Sequence, residues 1–165
     1  MRLPSEGVEP SSNGEPGMEP RTDRTTKGNR MHKIIFACVH NAGRSQMAAA
    51  FFNQLADPTK AEAVSAGTEP GLRVHPGVLS VMKEAGIDLS NAKPQKLTRE
   101  LAEGASLLIT MGCGDKCPYV PGLRRDDWPL LDPKGLPADE VRSIRDEVMI
   151  RVQNLIEAEG VGKGN

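Results

Sequence analysis

Apolar positions along this chain come in short bursts, and the bursts alternate between two periods. Ile34-Ile35-Phe36-Ala37 is an unbroken apolar run of strand length, and it predicts a strand over Lys33–Cys38 that is buried on both faces. Ala48, Phe51, Phe52 and Leu55 then recur at helical spacing and predict a helix over Ser45–Leu55. A second strand is predicted over Ala61–Ser65, stopped by Gly67. Val78, Val81, Met82 and Ala85 form the stripe of a helix over Pro76–Ala85, with Pro76 suited to its first turn and Gly86 to its C-terminal cap. Thr98 reads as the cap of a short helix ending at Glu103, and Ser106–Met111 as a third strand. Gly112–Leu131 reads as a long loop, in which Trp128–Leu131 is the candidate for a last short strand. Val141, Ile144, Val148, Val152 and Leu155 line one side of a final helix over Asp139–Ile156.

Strands alternating with helices predict an α/β fold, a parallel sheet with helices on both faces. Ligands of such sheets sit at the carboxyl ends of the strands. The pattern starts only at Met31. Before it, Pro4, Pro10, Pro16 and Pro20 punctuate a segment whose apolar residues are Met1, Leu3, Val8 and Met18 alone, too few for a core. Residues 1–30 are therefore expected to be a disordered tail, and residues 31–160 one domain.

Composition narrows the function classes. A net charge of -1 and no long basic run give no support to nucleic-acid binding. No apolar run approaches the roughly 20 residues of a membrane helix, and the N-terminus has no apolar segment of a signal peptide. Three cysteines do not resemble a secreted disulfide framework, so a reducing cytoplasm is expected. The chain is expected to be a monomer.

The chemistry centres on Cys38-Val39-His40-Asn41-Ala42-Gly43-Arg44-Ser45. A strand delivers a thiol into a tight loop, and a helix begins directly after it. Backbone N–H groups of such a loop, with the helix N-terminus, bind a tetrahedral oxyanion and hold the sulfur against it. That field suits a thiolate, the nucleophilic form of cysteine. Asn41 tolerates left-handed backbone angles and is expected to shape the loop. The bland reading is a small buried cysteine in a strand-to-helix turn.

Cys113 and Cys117 form a second cluster, open to a redox, a structural or a metal reading. A structural zinc site needs four ligands, and His32, His40 and His75 show no ligand spacing, so no metal is expected. Asp132 is a candidate acid, although Asp-Pro also simply starts turns. Trp128 is expected to pack, His40 to be a loop residue, and Lys60, Lys93, Lys96 and Arg99 to form a solvated face.

Cys38–Ser45 followed by Gln46-Met47-Ala48 resembles the low-molecular-weight tyrosine phosphatase fold, and more closely the arsenate reductases built on it. Ser65-Ala66-Gly67-Thr68, Glu84-Ala85-Gly86-Ile87-Asp88-Leu89-Ser90, Ile109–Cys113 with Cys117-Pro118, and Asp127-Trp128 through Asp132-Pro133 into the last helix agree in order, so the resemblance covers about residues 32–158. It implies a four-stranded parallel sheet in the order 2-1-3-4. It also implies Cys38 as nucleophile and Arg44 as the fork that holds two oxyanion oxygens. Ser45 would donate to the Cys38 sulfur, Asp132 would be the general acid, and Val39, His40, Asn41, Ala42, Gly43 and Arg44 would form the substrate-binding loop. Cys113 and Cys117 would relay electrons. Arsenate is the implied substrate. No bound cofactor is implied, but an external thiol reductant is, either a thioredoxin-like protein or a small thiol such as mycothiol or glutathione. Ala49 stands where some reductases of this fold use a glutamate for potassium, so potassium dependence is not implied. Lys134-Gly135 follows Asp132-Pro133 where the phosphatases commonly carry aromatics, which favours reductase over phosphatase. A phosphatase and a non-enzymatic oxyanion-binding module remain the rivals.

Overall fold

The computed structural model describes residues 31–112 and 120–164. Four strands, β1 (His32–Cys38), β2 (Ala61–Gly67), β3 (Leu107–Thr110) and β4 (Arg124–Asp127), form one sheet in the order β2-β1-β3-β4. All neighbours are parallel, in the order the resemblance implied. Register brings the carboxyl ends to one edge: Cys38 pairs with Gly67, Ala37 with Thr110, and Thr110 with Asp127.

The period-2 geometry of β1 divides two apolar layers. Ile34, Phe36 and Cys38 face a large core with α1 (Arg44–Leu55), α2 (Pro76–Glu84) and α4 (Ala138–Glu159). Ile35 and Ala37 face a smaller one with Leu108, Leu97 and Ala102 of the five-residue α3 (Arg99–Glu103). Helices therefore cover both faces, unevenly. Phe36 joins the layers of the large core, its ring 6.1 Å from that of Phe52 and 5.5 Å from that of Trp128. Trp128 is buried, as its expected packing role requires.

Local signals act where they were anticipated. Pro76 opens α2, and Gly86 follows its cap at φ 86. The Thr98 hydroxyl accepts from Leu101 N–H at 3.1 Å. The last strand differs from the expectation. Trp128–Leu131 is not a strand, and β4 is the charged Arg124–Asp127, exposed at every residue. β4 pairs on one side only, so it has no need of apolar side chains, whereas Trp128 and Leu130 are apolar because they plug the core beyond its end. β2 continues to Gly67 rather than ending at Ser65, and α4 extends to Glu159, where Gly160 ends it at φ 68. No described helix is long and apolar enough to cross a membrane.

One polar joint fastens α2 to α4. Arg142 grips Glu84 with Nε at 2.9 Å and Nη2 at 3.0 Å. Arg145 Nη1 donates to the Val81 carbonyl at 2.8 Å and to Glu84 at 3.1 Å. The hydrogen-bonded Arg142 guanidinium holds the Glu84 carboxyl below its usual 4.5, with Arg145 adding to it and burial opposing.

Two outcomes are expected. Phe52→Ala should cost about 3–5 kcal/mol in urea unfolding, since it empties a fully buried site between Phe36 and the helices. Glu84 is depressed in the folded state, so its contribution is complete above pH 4.5 and is lost as pH falls through the folded-state value. The stability gap between the unmutated chain and Glu84→Gln should accordingly shrink as unfolding is measured below pH 4.5.

Candidate active site

Cys38 ends β1 and Arg44 begins α1, so the turn between them lies at the carboxyl edge of the sheet. The direction of its peptide groups can be read from their partners. Thr68 N–H reaches the Cys38 carbonyl at 3.3 Å, Glu69 N–H the Val39 carbonyl at 2.8 Å, and Gly71 N–H the His40 carbonyl at 2.9 Å. His75 N–H holds the Ala42 carbonyl at 2.9 Å, and Met47 N–H holds that of Gly43 at 3.0 Å. Gln46 Nε2 takes the Asn41 carbonyl at 3.0 Å. Every carbonyl from Cys38 to Gly43 is thus engaged on the outside of the turn. In a trans peptide the next N–H points opposite to the C=O, so the N–H groups of residues 39–44 are turned to the inside. A ring of this kind attracts an oxyanion.

The segment that holds the carbonyls follows β2, and Gly67 is where it comes closest. A Cβ there would lie 2.6 Å from the Val39 carbonyl oxygen and 2.9 Å from Asn41 N. Lys96, exposed as expected of a solvated face, also donates Nζ to the Thr68 carbonyl at 2.9 Å and steadies the same segment.

The thiol is buried, with Sγ 2.9 Å from Ser45 Oγ. Asn41 Nδ2 donates to that same hydroxyl at 2.8 Å. The Asn41 side chain cannot be turned the other way, because its Oδ1 accepts from Gln95 N–H at 2.9 Å, a group that only donates. Ser45 therefore receives from Asn41, and its own proton is available to the sulfur. Asn41 holds this position at φ 52, the left-handed angle expected of it.

Arg44 is nearly buried at 8 % exposure. Its Nη1 donates to the Leu130 carbonyl at 3.0 Å, and Nη2 lies 3.9 Å from Asp132 Oδ2. Gly112, at φ 99, lies against the guanidinium, and a Cβ there would lie 2.8 Å from Nη1. Asp132 is half exposed, and its Oδ1 accepts from Lys134 N–H at 3.0 Å. The cleft between these groups is lined by Cys38, His40, Ala42, Gly43, Arg44, His75 and Asp132.

Cys38, Arg44, Ser45, Asp132 and the loop residues Val39 to Gly43 are thus brought to one place. Cys113 and Cys117 lie outside the described residues. The His40 ring is tied by Nδ1 to the Glu69 carbonyl at 2.9 Å. Among the described residues no group of three His, Cys, Asp or Glu side chains is placed to hold a metal.

Sequence reasoning missed His75, Gln46 and the Leu130 carbonyl. His75 could have been suspected, because it immediately precedes Pro76, and the helix after a parallel strand starts at the ligand-binding edge. Burial holds its imidazole below the ordinary 6.5; the Asp132 charge opposes this, while Lys134, His40 and Arg44 reinforce it.

Comparison with known proteins agrees with this geometry. Residues 33–163 match the family model of low molecular weight phosphotyrosine protein phosphatase. The glutaredoxin arsenate reductase of Synechocystis is 36 % identical over 129 residues, 76 % of this chain and 97 % of that protein. An arsenate reductase of Staphylococcus aureus is 36 % identical over 126 residues, 73 % of this chain and 93 % of its own. Among solved structures, the thioredoxin-dependent arsenate reductase of Corynebacterium glutamicum superposes with a TM-score of 0.69 at 36 % identity. That match covers 80 % of this chain but 63 % of the Corynebacterium chain, so more than a third of the latter has no counterpart in it. With its four-stranded parallel sheet and its buried thiol at the turn between β1 and α1, the chain belongs to the low molecular weight phosphotyrosine protein phosphatase family.

Proposed function

We propose that this protein reduces arsenate to arsenite, with Cys38 as nucleophile and Cys113 and Cys117 as an internal relay to an external thiol. The observation that carries this reading is a buried sulfur and a guanidinium at a turn whose carbonyls, from Cys38 to Gly43, all point outward. Such a turn draws in a tetrahedral oxyanion and sets the sulfur against its central atom. Arsenate and phosphate esters are both tetrahedral. The relatives named arsenate reductase, and the extra thiols in the chain, favour arsenate.

Arg44 is tethered through Nη1 to the Leu130 carbonyl, and its planar fork holds two oxygens of the bound anion. The Cys38 sulfur attacks arsenic. An arsenic-bound hydroxyl departs as water, taking a proton from Asp132, whose carboxyl stands beside the guanidinium. Ser45 donates to the sulfur whenever it carries negative charge, and Asn41 keeps the hydroxyl aimed that way. The Cys113 thiolate next attacks the Cys38 sulfur. The S–As bonding pair stays on arsenic, which leaves as arsenite, and a Cys38–Cys113 disulfide remains. Cys117 then attacks Cys113, freeing Cys38 and moving the disulfide to Cys113–Cys117.

The reductant of that disulfide is proposed to be a dithiol protein of the thioredoxin type. The Corynebacterium protein's description supports this choice, while the Synechocystis protein's name supports a glutaredoxin. Mycothiol or glutathione acting directly is the small-thiol alternative. The protein is proposed to act as a monomer. A phosphatase, the rival suggested by the family itself, would cleave p-nitrophenyl phosphate and leave arsenate unreduced when both are assayed side by side.

Two outcomes follow from this chemistry. Arg44→Lys keeps the charge but loses the fork, and should lower kcat/KM for arsenate by about 10²-fold or more. Near-normal kinetics would mean that the N–H ring suffices. For the relay, one turnover on arsenate without reductant, followed by peptide mapping, should give a Cys113–Cys117 disulfide in the unmutated chain. Cys117→Ser should instead trap Cys38–Cys113. Undiminished turnover with mycothiol or glutathione after both relay cysteines are changed to Ser would establish the small-thiol route.

A further inference from the structure

Five of the outward carbonyls of the loop are held by backbone N–H groups, from Thr68, Glu69, Gly71, His75 and Met47, which almost any residue could supply. The sixth, that of Asn41, is held by a side chain. Gln46 Nε2 donates to the Asn41 carbonyl at 3.0 Å and lies 3.3 Å from Asn41 Oδ1. Both partners are carbonyl oxygens, which only accept, so the Gln46 nitrogen and not its oxygen must face them. Gln46 sits in the first turn of α1 at 5 % exposure, and Asn41 is fully buried.

Asn41 is also the one residue other than glycine with a positive φ among the described residues. Its conformation is therefore the least favoured on intrinsic grounds in the loop, and it depends most on what fastens it. Each hydrogen bond in the chain of contacts has a fixed direction. Gln95 N–H and the Gln46 amide give to Asn41, Asn41 Nδ2 gives to Ser45 Oγ, and the Ser45 proton is left for Cys38 Sγ.

We infer that Gln46 is a positioning residue for the Cys38 nucleophile, acting through Asn41 and Ser45. It has two effects, both exerted at Asn41. It keeps the Asn41 carbonyl outside the ring, where an inward oxygen would repel the anion. It also holds the Asn41 amide so that the Ser45 proton points at sulfur. A methionine of similar length fills the same space and leaves the Asn41 carbonyl buried without a partner. A glutamate is closer still in shape and sets a carboxylate against two acceptor oxygens. For the reaction served, this inference rests on the arsenate reading above; the hydrogen-bond chain itself does not.

The test is a double-mutant cycle on the full chain, comparing Gln46→Met, Ser45→Ala and the two combined, with far-UV circular dichroism on each. The first readout is the rate at which iodoacetamide alkylates Cys38, followed by peptide mapping, and the second is the protection that inorganic phosphate gives against it. Neither needs arsenate. Gln46→Met should slow alkylation by about ten-fold, the size of one hydrogen bond, and raise the phosphate concentration needed for protection. Ser45→Ala should slow alkylation in the unmutated background and add little once Gln46 is Met. If Gln46→Met does not fold, the isosteric Gln46→Glu carries the same expectation. Alkylation within two-fold of the unmutated chain, or losses that multiply in the combined variant, would overturn the inference, the second because Gln46 would then not act through Ser45. Arsenate kcat/KM is measured in parallel. Its absence in the unmutated chain sinks the reductase reading, while the alkylation cycle still decides the role of Gln46.

Discussion

The site depends on a constraint of the peptide group: a carbonyl and the N–H that follows it cannot point the same way. To face six N–H groups inward, the turn after β1 must face six carbonyls outward, and each buried carbonyl needs a donor. The surrounding structure supplies those donors. The stretch after β2 runs alongside the turn with Thr68, Glu69 and Gly71, α2 begins so that His75 N–H meets Ala42, and α1 offers Met47 and Gln46. This is why β2 must end in a glycine beside Val39, and why Lys96 is drawn in to steady the same stretch. An anion site made in this way consists mostly of backbone. It is as rigid as the sheet edge that carries it, and it needs little rearrangement when charge arrives.

Arg44 shows a second layer of the same economy. Guanidinium groups have five donors, and a buried one that also serves a ligand must place the donors it does not use for binding. Leu130 takes one with its carbonyl, and Asp132 stands near the other end of the fork. The core residues beyond β4 therefore do more than fill space. Leu130 is buried in the large core while its backbone oxygen fixes the guanidinium of the candidate site, so core packing and the orientation of Arg44 share one residue.

What the sequence disclosed, and what it concealed, divides along physical lines. β1 was legible because a strand covered on both faces must be an unbroken apolar run, and Ile34-Ile35-Phe36-Ala37 is one. The Cys38–Ser45 turn was legible because thiol, arginine and hydroxyl carry chemistry in their side chains. β4 was not, since an edge strand of Arg-Arg-Asp-Asp has no apolar signature, and the apolar Trp128–Leu131 beside it invited the wrong assignment. Leu130 was invisible as a site residue because its contribution is a carbonyl, which every residue has. Gln46 was invisible because its role arises only when α1 has docked on the sheet, whereas His75 left one trace, its place just before the Pro76 that opens α2.

Trp128 gives the fold a property of a different kind. It is the one tryptophan in 165 residues. Its ring is sealed into the core against Phe36, with the Arg151 guanidinium 5.9 Å from its centre, and its backbone N–H donates to the Thr110 carbonyl at the end of β3 at 2.8 Å. Two residues farther along the chain lies the carbonyl that tethers Arg44. Nearly all the near-ultraviolet emission of this protein thus comes from one chromophore at one known address, beside the Phe36 ring in the large core. The molecule thus carries its own unlabelled optical gauge, two residues along the backbone from the carbonyl on which Arg44 leans.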